Sequence, residues 1–133
     1  MFNELNYDRQ NTFGIEMDDN ADFIKLRAWL DTHKGEDMII HGFLITNGGN
    51  YGKSVSVIYD AHTFVALPKR YVDWFEERTP EQIAGIREGK CKLTDFEEVT
   101  AKNGSKTIAF RFADVEILRV SHSNRAANVP PFF

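Results

Sequence analysis

Met38 to Thr46 reads MIIHGFLIT, Asn47 to Lys53 reads NGGNYGK, and Ser54 to Asp60 reads SVSVIYD. The first stretch is a compact apolar run rich in β-formers, and the second interrupts it with three glycines and two asparagines. The third alternates, with Val55, Val57 and Tyr59 on one face, the period-two mark of a half-buried strand. Two strands joined by a flexible turn are expected here. A third follows over His62–Leu67, after a kink at Asp60-Ala61, and Pro68 ends it.

Downstream, Lys69–Arg78 places Tyr71, Val72, Trp74 and Phe75 at helical spacing. Thr79-Pro-Glu-Gln82 then has the chemistry of a helix start. Thr79 can cap, Pro80 suits the first helical position, and Gln82 closes a capping box. The short helix buries Ile83 and Ile86 and stops at Gly89. Lys92–Thr100 and Thr107–Val120 read as two more strands, joined by Lys102-Asn-Gly-Ser105, where Asn-Gly favours a tight hairpin turn. Upstream, Phe13–Met17 reads as a short strand. From Ala21 two readings stand: a helix carrying Phe23, Leu26 and Leu30 and stopped at Gly35, or a strand through Phe23–Leu26 followed by a helical turn.

Strand, strand, strand, helical segment, strand, strand is the layout of an OB-like β-barrel. The expected fold is therefore mainly β, with five antiparallel strands and the helical segment between strands 3 and 4. A five-stranded α+β sheet with the same order is the alternative. Residues 1–20 form an N-terminal arm in this reading, 21–120 the barrel domain, and 121–133 a C-terminal tail.

A chain of 133 residues, 42% of them hydrophobic, is long enough to bury a core without staples. Eleven Phe, four Tyr and two Trp exceed what such a core must hold, so some rings are expected to face outward. Cys91 is the only cysteine, which excludes an internal disulfide or a thiolate zinc site and fits a reducing compartment. The first residues have no signal-peptide pattern and no apolar stretch approaches about 20 residues, so a cytoplasmic protein without a membrane partner is expected.

The net charge of −4 weighs against a uniformly basic nucleic-acid binder. Residues 1–50 hold nine acids and four bases, however, whereas residues 51–133 hold eleven acids and twelve bases. A local basic groove in the later part is compatible with the acidic total.

Within that part the candidate nucleic-acid contacts are the rings Phe43, Tyr51 and Tyr59 and the cations Lys53, Lys69, Arg70, Lys102, Lys106 and Arg111. Exposed rings would stack bases without regard to sequence, and the cations would follow the phosphates. Tyr51, flanked by glycines and an asparagine, is the ring most expected at a loop tip. Arg111, between Phe110 and Phe112, faces opposite those two rings on a strand.

Tyr51-Gly52 after the Gly/Asn loop, the strand ending in Leu67-Pro68, the helical Lys69–Phe75 and Arg87-Glu-Gly-Lys90 resemble small phage and mobile-element single-stranded DNA-binding proteins of the OB-fold kind. The resemblance spans roughly residues 23–118. It implies a role in protecting single strands during replication, recombination or transfer, with DNA favoured over RNA. Bacterial single-stranded DNA-binding proteins commonly end in an acidic run closed by Pro-Phe. Here Pro131-Phe132-Phe133 keeps the apolar tip without the acids, and Phe132 and Phe133 are the implied partner-binding residues.

Catalysis is not expected. His33, His41, His62 and His122 are scattered, with no pair at the spacing of a metal face, so neither metal nor cofactor is implied. Asp60 and His62 can share a surface, but no nucleophile stands beside them. Asn47–Lys53 lacks the spacing of a phosphate loop. The second reading is a protein-interaction module, or an oligomer, using Trp74 and Phe75 or the tail. Acidic Asp18, Asp19, Asp22, Glu36 and Asp37 would suit an inhibitor that imitates nucleic acid in binding a host factor.

Overall fold

The computed structural model describes residues 9–47 and 52–115. Eight strands run in chain order: β1 Thr12–Gly14, β2 Asp22–Lys25, β3 Met38–Ile40, β4 Gly42–Asn47, β5 Lys53–Asp60, β6 Thr63–Ala66, β7 Cys91–Thr100 and β8 Lys106–Asp114. The helices are α1 Leu26–Thr32, α2 Val72–Glu76, entered through a 3-10 turn at Lys69–Tyr71, and α3 Pro80–Arg87. The protein is thus mainly β, with its helical segment between β6 and β7 as expected.

MIIHGFLIT is one path through two sheets. Its first half, β3, pairs antiparallel with β7, setting Met38 against Leu93 and Ile40 against Cys91. The chain turns at His41, whose N–H donates to the Ile58 carbonyl over 2.8 Å. The second half, β4, then pairs antiparallel with β1 and β5. The result is a five-stranded sheet ordered β1-β4-β5-β6-β2 and a three-stranded sheet ordered β3-β7-β8.

The five-stranded sheet is covered on both faces. Phe43, Val55, Val57 and Val65 enter the main core, which also takes Leu26 and Trp29 of α1, Val72 and Phe75 of α2, Ile86 of α3, and Leu93 and Phe110 of the smaller sheet. Leu44, Ile58 and Phe64 point the other way, onto Met17 and Ala21. Burial on both faces replaces alternation with consecutive apolar residues, as in Val57-Ile58 and Phe64-Val65. Residues 12–17, read from the sequence as part of an arm, contribute β1 and the buried Met17 to this sheet.

Of the two readings from Ala21, the strand followed by a helical turn is the one that forms. β2 lies parallel to β6, with Phe23 opposite Phe64. This parallel pair bears on the expected barrel. Among the described residues, the expected five antiparallel strands become eight in two sheets, and no barrel closes. Closure would join the β6 side of one sheet to β8 of the other, and both edges are already filled. β2 occupies the first. On the second, the Phe110 N–H donates to the Tyr71 hydroxyl over 3.1 Å, and the Ile108 carbonyl accepts from Arg70 over 2.6 Å. Side-chain partners of this kind satisfy an edge strand's backbone and block further pairing.

β7 carries a bulge. Thr94 pairs with Arg111 and Glu97 with Ala109, so one extra residue lies on β7, and Asp95 adopts φ +57°. The bulge turns Phe96 toward the core, where its ring lies 5.6 Å from Phe110 and 6.0 Å from Trp29, and leaves Asp95, Glu97 and Glu98 exposed.

Candidate nucleic-acid interface

The rings expected to stack bases are mostly structural. Phe43 is 1% exposed and packs 4.9 Å from Phe75 and 5.2 Å from Phe13, so it is a core residue and not a platform. Tyr59 is half-buried on the same side, edge-on to Trp29 at 5.5 Å, with its hydroxyl 3.4 Å from His33 Nε2. The outer face of β5 and β6, the strand 2–3 face that an OB-type protein offers to its ligand, is instead covered by residues 15–21 of the chain itself. Tyr51, Phe132 and Phe133 lie outside the described residues.

A second group of aromatic side chains binds the helical segment to β8. Tyr71 stacks on Phe110 at 4.1 Å, and Trp74 stacks on Phe112 at 3.5 Å with an interplanar angle of 2°. Each stack is covered by a guanidinium: Arg70 lies 4.8 Å from the Tyr71 centroid and Arg78 3.9 Å from that of Trp74.

The expected cations divide into two sets. Lys53, at the start of β5, pairs with Glu76 of α2 at 2.5 Å, and the hydrogen bond to that carboxylate raises its pKa. Arg111 pairs with Asp95 at the bulge, also at 2.5 Å. These two are tied into carboxylates away from any common groove.

Arg70 contacts β8 near the free end of the β7–β8 hairpin, whose loop carries Lys102 and whose second strand opens with Lys106; Lys69 precedes Arg70 in sequence. Arg70 donates to Thr107 Oγ1 over 3.1 Å and to the Ile108 carbonyl over 2.6 Å. Lys102 is exposed in the connecting loop. Lys106 reaches Glu98 only at 3.7 Å, and both side chains are well exposed.

The loop that presents Lys102 is not a two-residue turn. Gly104 N–H donates to the Ala101 carbonyl and Ala101 N–H to the Ser105 carbonyl, which makes Lys102-Asn-Gly104 a three-residue loop with Gly104 at φ +87°.

The Asp60–His62 pair resolves into turn chemistry. His62 N–H donates to Asp60 Oδ1 over 2.9 Å, while its Nδ1 meets Asp18, and that hydrogen bond raises the imidazole pKa. The contact fastens the segment before β2 to the β5–β6 turn. Cys91 is fully buried, and desolvation pushes its thiol up to about 12, far from a reactive thiolate. No group of three or more His, Cys, Asp and Glu side chains among the described residues is arranged to hold a metal ion. None of the described helices is long and apolar enough to cross a membrane. No family model, curated protein or solved structure matches the chain.

Proposed function

We propose that this protein binds single-stranded nucleic acid, DNA in preference to RNA, as a non-catalytic accessory factor in the replication or recombination of phage or mobile-element DNA. In this reading its strands form an open, OB-like arrangement. Phosphates are held at the free end of the β7–β8 hairpin by Lys69, Arg70, Lys102 and Lys106.

The observation that carries the proposal is the setting of Arg70. Its guanidinium is oriented by a hydroxyl, a carbonyl and an aromatic face, all neutral, and it forms no ion pair among the described residues. A cation held in place without a neutralising carboxylate is prepared for an anion from outside. The long, exposed Lys106–Glu98 pair contributes little, and a phosphate can displace it at small cost.

With Phe43 buried and Tyr59 half-buried, affinity rests on charge more than on stacking from the strands. The salt dependence follows from that. Four phosphate contacts on a single strand give a slope of log K against log salt of about −3. Fluorescence anisotropy with labelled oligothymidylate across a salt series measures it. The exposed charge reversals Lys69→Glu and Lys102→Glu should make the slope shallower and weaken binding for every sequence tested. Absence of binding at micromolar protein in low salt overturns the proposal.

A further inference from the structure

A groove of about 470 Å³ opens between α1, the loop that follows it, and the β7 bulge, on the face of the β7–β8 hairpin that carries Ile108. Leu30, Phe96 and Ile108 supply apolar lining. Six carboxylates, from Asp31, Glu36, Asp37, Asp95, Glu97 and Glu98, surround it, against two cations, Arg27 and Lys34. The volume lies within the range of ordinary ligand sites.

The carboxylates are not equivalent. Asp37 is engaged by Thr94 at 2.6 Å and Lys92 at 2.9 Å, Asp95 by Arg111, and Glu98 by Arg27 at 2.6 Å. Those partners hold the Asp37 and Glu98 carboxyls below their ordinary values, so both stay charged. Asp31, Glu36 and Glu97 form no ion pair among the described residues, and they stand exposed at the rim. Three carboxylates without ion pairs against one such cation, Lys34, therefore leave a net negative charge around an apolar floor. This combination matches a side chain with an aliphatic stem and a cationic head, which buries the stem while its charge meets carboxylates. The groove adjoins the phosphate site proposed above at Glu98, which Lys106 reaches, but its own charge would repel a nucleic acid.

We propose that the groove docks a basic segment of a protein partner, which lays an arginine or lysine stem over Leu30, Phe96 and Ile108 and sets its cation among Asp31, Glu36 and Glu97. The paired carboxylates and Arg27 keep the walls in place, and the three unpaired ones supply the attraction. A segment carrying apolar residues between its cations uses both parts of the groove, whereas a bare polycation uses only the rim.

The test is a heteronuclear NMR titration of the full chain, without nucleic acid, using a capped Gly-Leu-Arg-Leu-Arg-Gly peptide. Saturable shifts are expected in the backbone amides of residues 30–37 and 94–98. The double variant Glu36→Lys, Glu97→Lys should weaken the peptide at least tenfold while its thermal midpoint stays near that of the parent, because both side chains are exposed and unpaired. A peptide with glutamate in place of arginine should produce no saturable shift.

Three outcomes overturn the proposal: no saturation at millimolar peptide in low salt, equal shifts around Asp18, Asp19 and Asp22, or spermidine filling the groove as tightly as the peptide. Because no nucleic acid is present, each outcome is independent of whether the Arg70 end binds oligonucleotide.

Discussion

His62 shows how little of a residue's role its neighbours in sequence reveal. Two positions from Asp60, it reads as half of an acid–base pair, yet its ring partner is Asp18, 44 residues away. That hydrogen bond favours the imidazolium and lifts the pKa above its ordinary value of about 6.5. A raised folded value means that the stabilisation is complete below the unfolded pKa and is lost as pH rises through the folded one. The His62 pKa followed by NMR should accordingly lie above 6.5 in the parent and return toward it in Asp18→Asn. The thermal midpoints of the two proteins should differ more at mildly acidic pH than at pH 8. A His62 pKa unchanged by the substitution would show that the contact is not populated. Tyr59, expected as a stacking ring, shares the strand parity of Val55 and Val57, and that face is the buried one. The surplus of rings was misleading for a physical reason: a core that spans two sheets and three helices consumes aromatic volume that a simple barrel of this length would not.

At the level of elements, what could be read from sequence was what short-range chemistry dictates. The Thr79 hydroxyl accepts from the Gln82 N–H over 3.1 Å and the Gln82 side chain accepts from the Thr79 N–H over 3.0 Å, the reciprocal box the sequence implies. Removing one arm leaves a helix donor without its protein partner. Thr79→Ala should therefore cost about 0.5–2 kcal/mol in chemical denaturation, and Thr79→Ser should restore most of it. An unchanged denaturation midpoint in the alanine variant would show that α3 is held by Ile83 and Ile86 alone. SVSVIYD and the two strands after Gly89 were equally visible, whereas MIIHGFLIT reads as one strand and forms two, β3 and β4, in different sheets. Their partners were not. That β2 would lie parallel to β6, or that Arg70 and Tyr71 would seal β8, depends on pairings between distant segments that no local period encodes. The bulge left a trace, since Leu93 and Phe96 both turn inward three positions apart, which a regular strand forbids. For the candidate site, Arg70, Lys102 and Lys106 were recognisable as cations. The acidic groove went unseen because its walls come from α1 with its following loop and from β7, joined across 57 residues of sequence where Thr94 donates to Asp37.

For the molecule as a whole, the question is whether two sheets make two folding units or one. The path from β3 to β4 passes through His41-Gly42, and Gly42 is the register partner of Gly14 on β1. A Cβ at Gly42 would strike the Phe13 carbonyl and stand 2.7 Å from Ile58 Cδ1 and 2.8 Å from Gly14 Cα. Two of these three neighbours are backbone atoms of a paired strand, so the strain has no side-chain route to relax. Gly42→Ala should then destabilise by about 1–3 kcal/mol or more, as overpacking does, which corresponds to a fall in midpoint of roughly 5–12 °C. A single hydrophobic cluster runs from Val57 and Val65 in one sheet to Leu93 and Phe110 in the other, with Trp29 and Phe75 between them. Loss of the bend should therefore lower one cooperative transition and not split it. Far-UV circular dichroism reports both sheets. Tryptophan fluorescence reports Trp29 on α1 and Trp74 against β8. The two melting curves should coincide in the parent and again, at lower temperature, in Gly42→Ala. Separate midpoints in the variant would mean that the smaller sheet with its helical cover persists without β4, and that the shared core is weaker than its continuity implies.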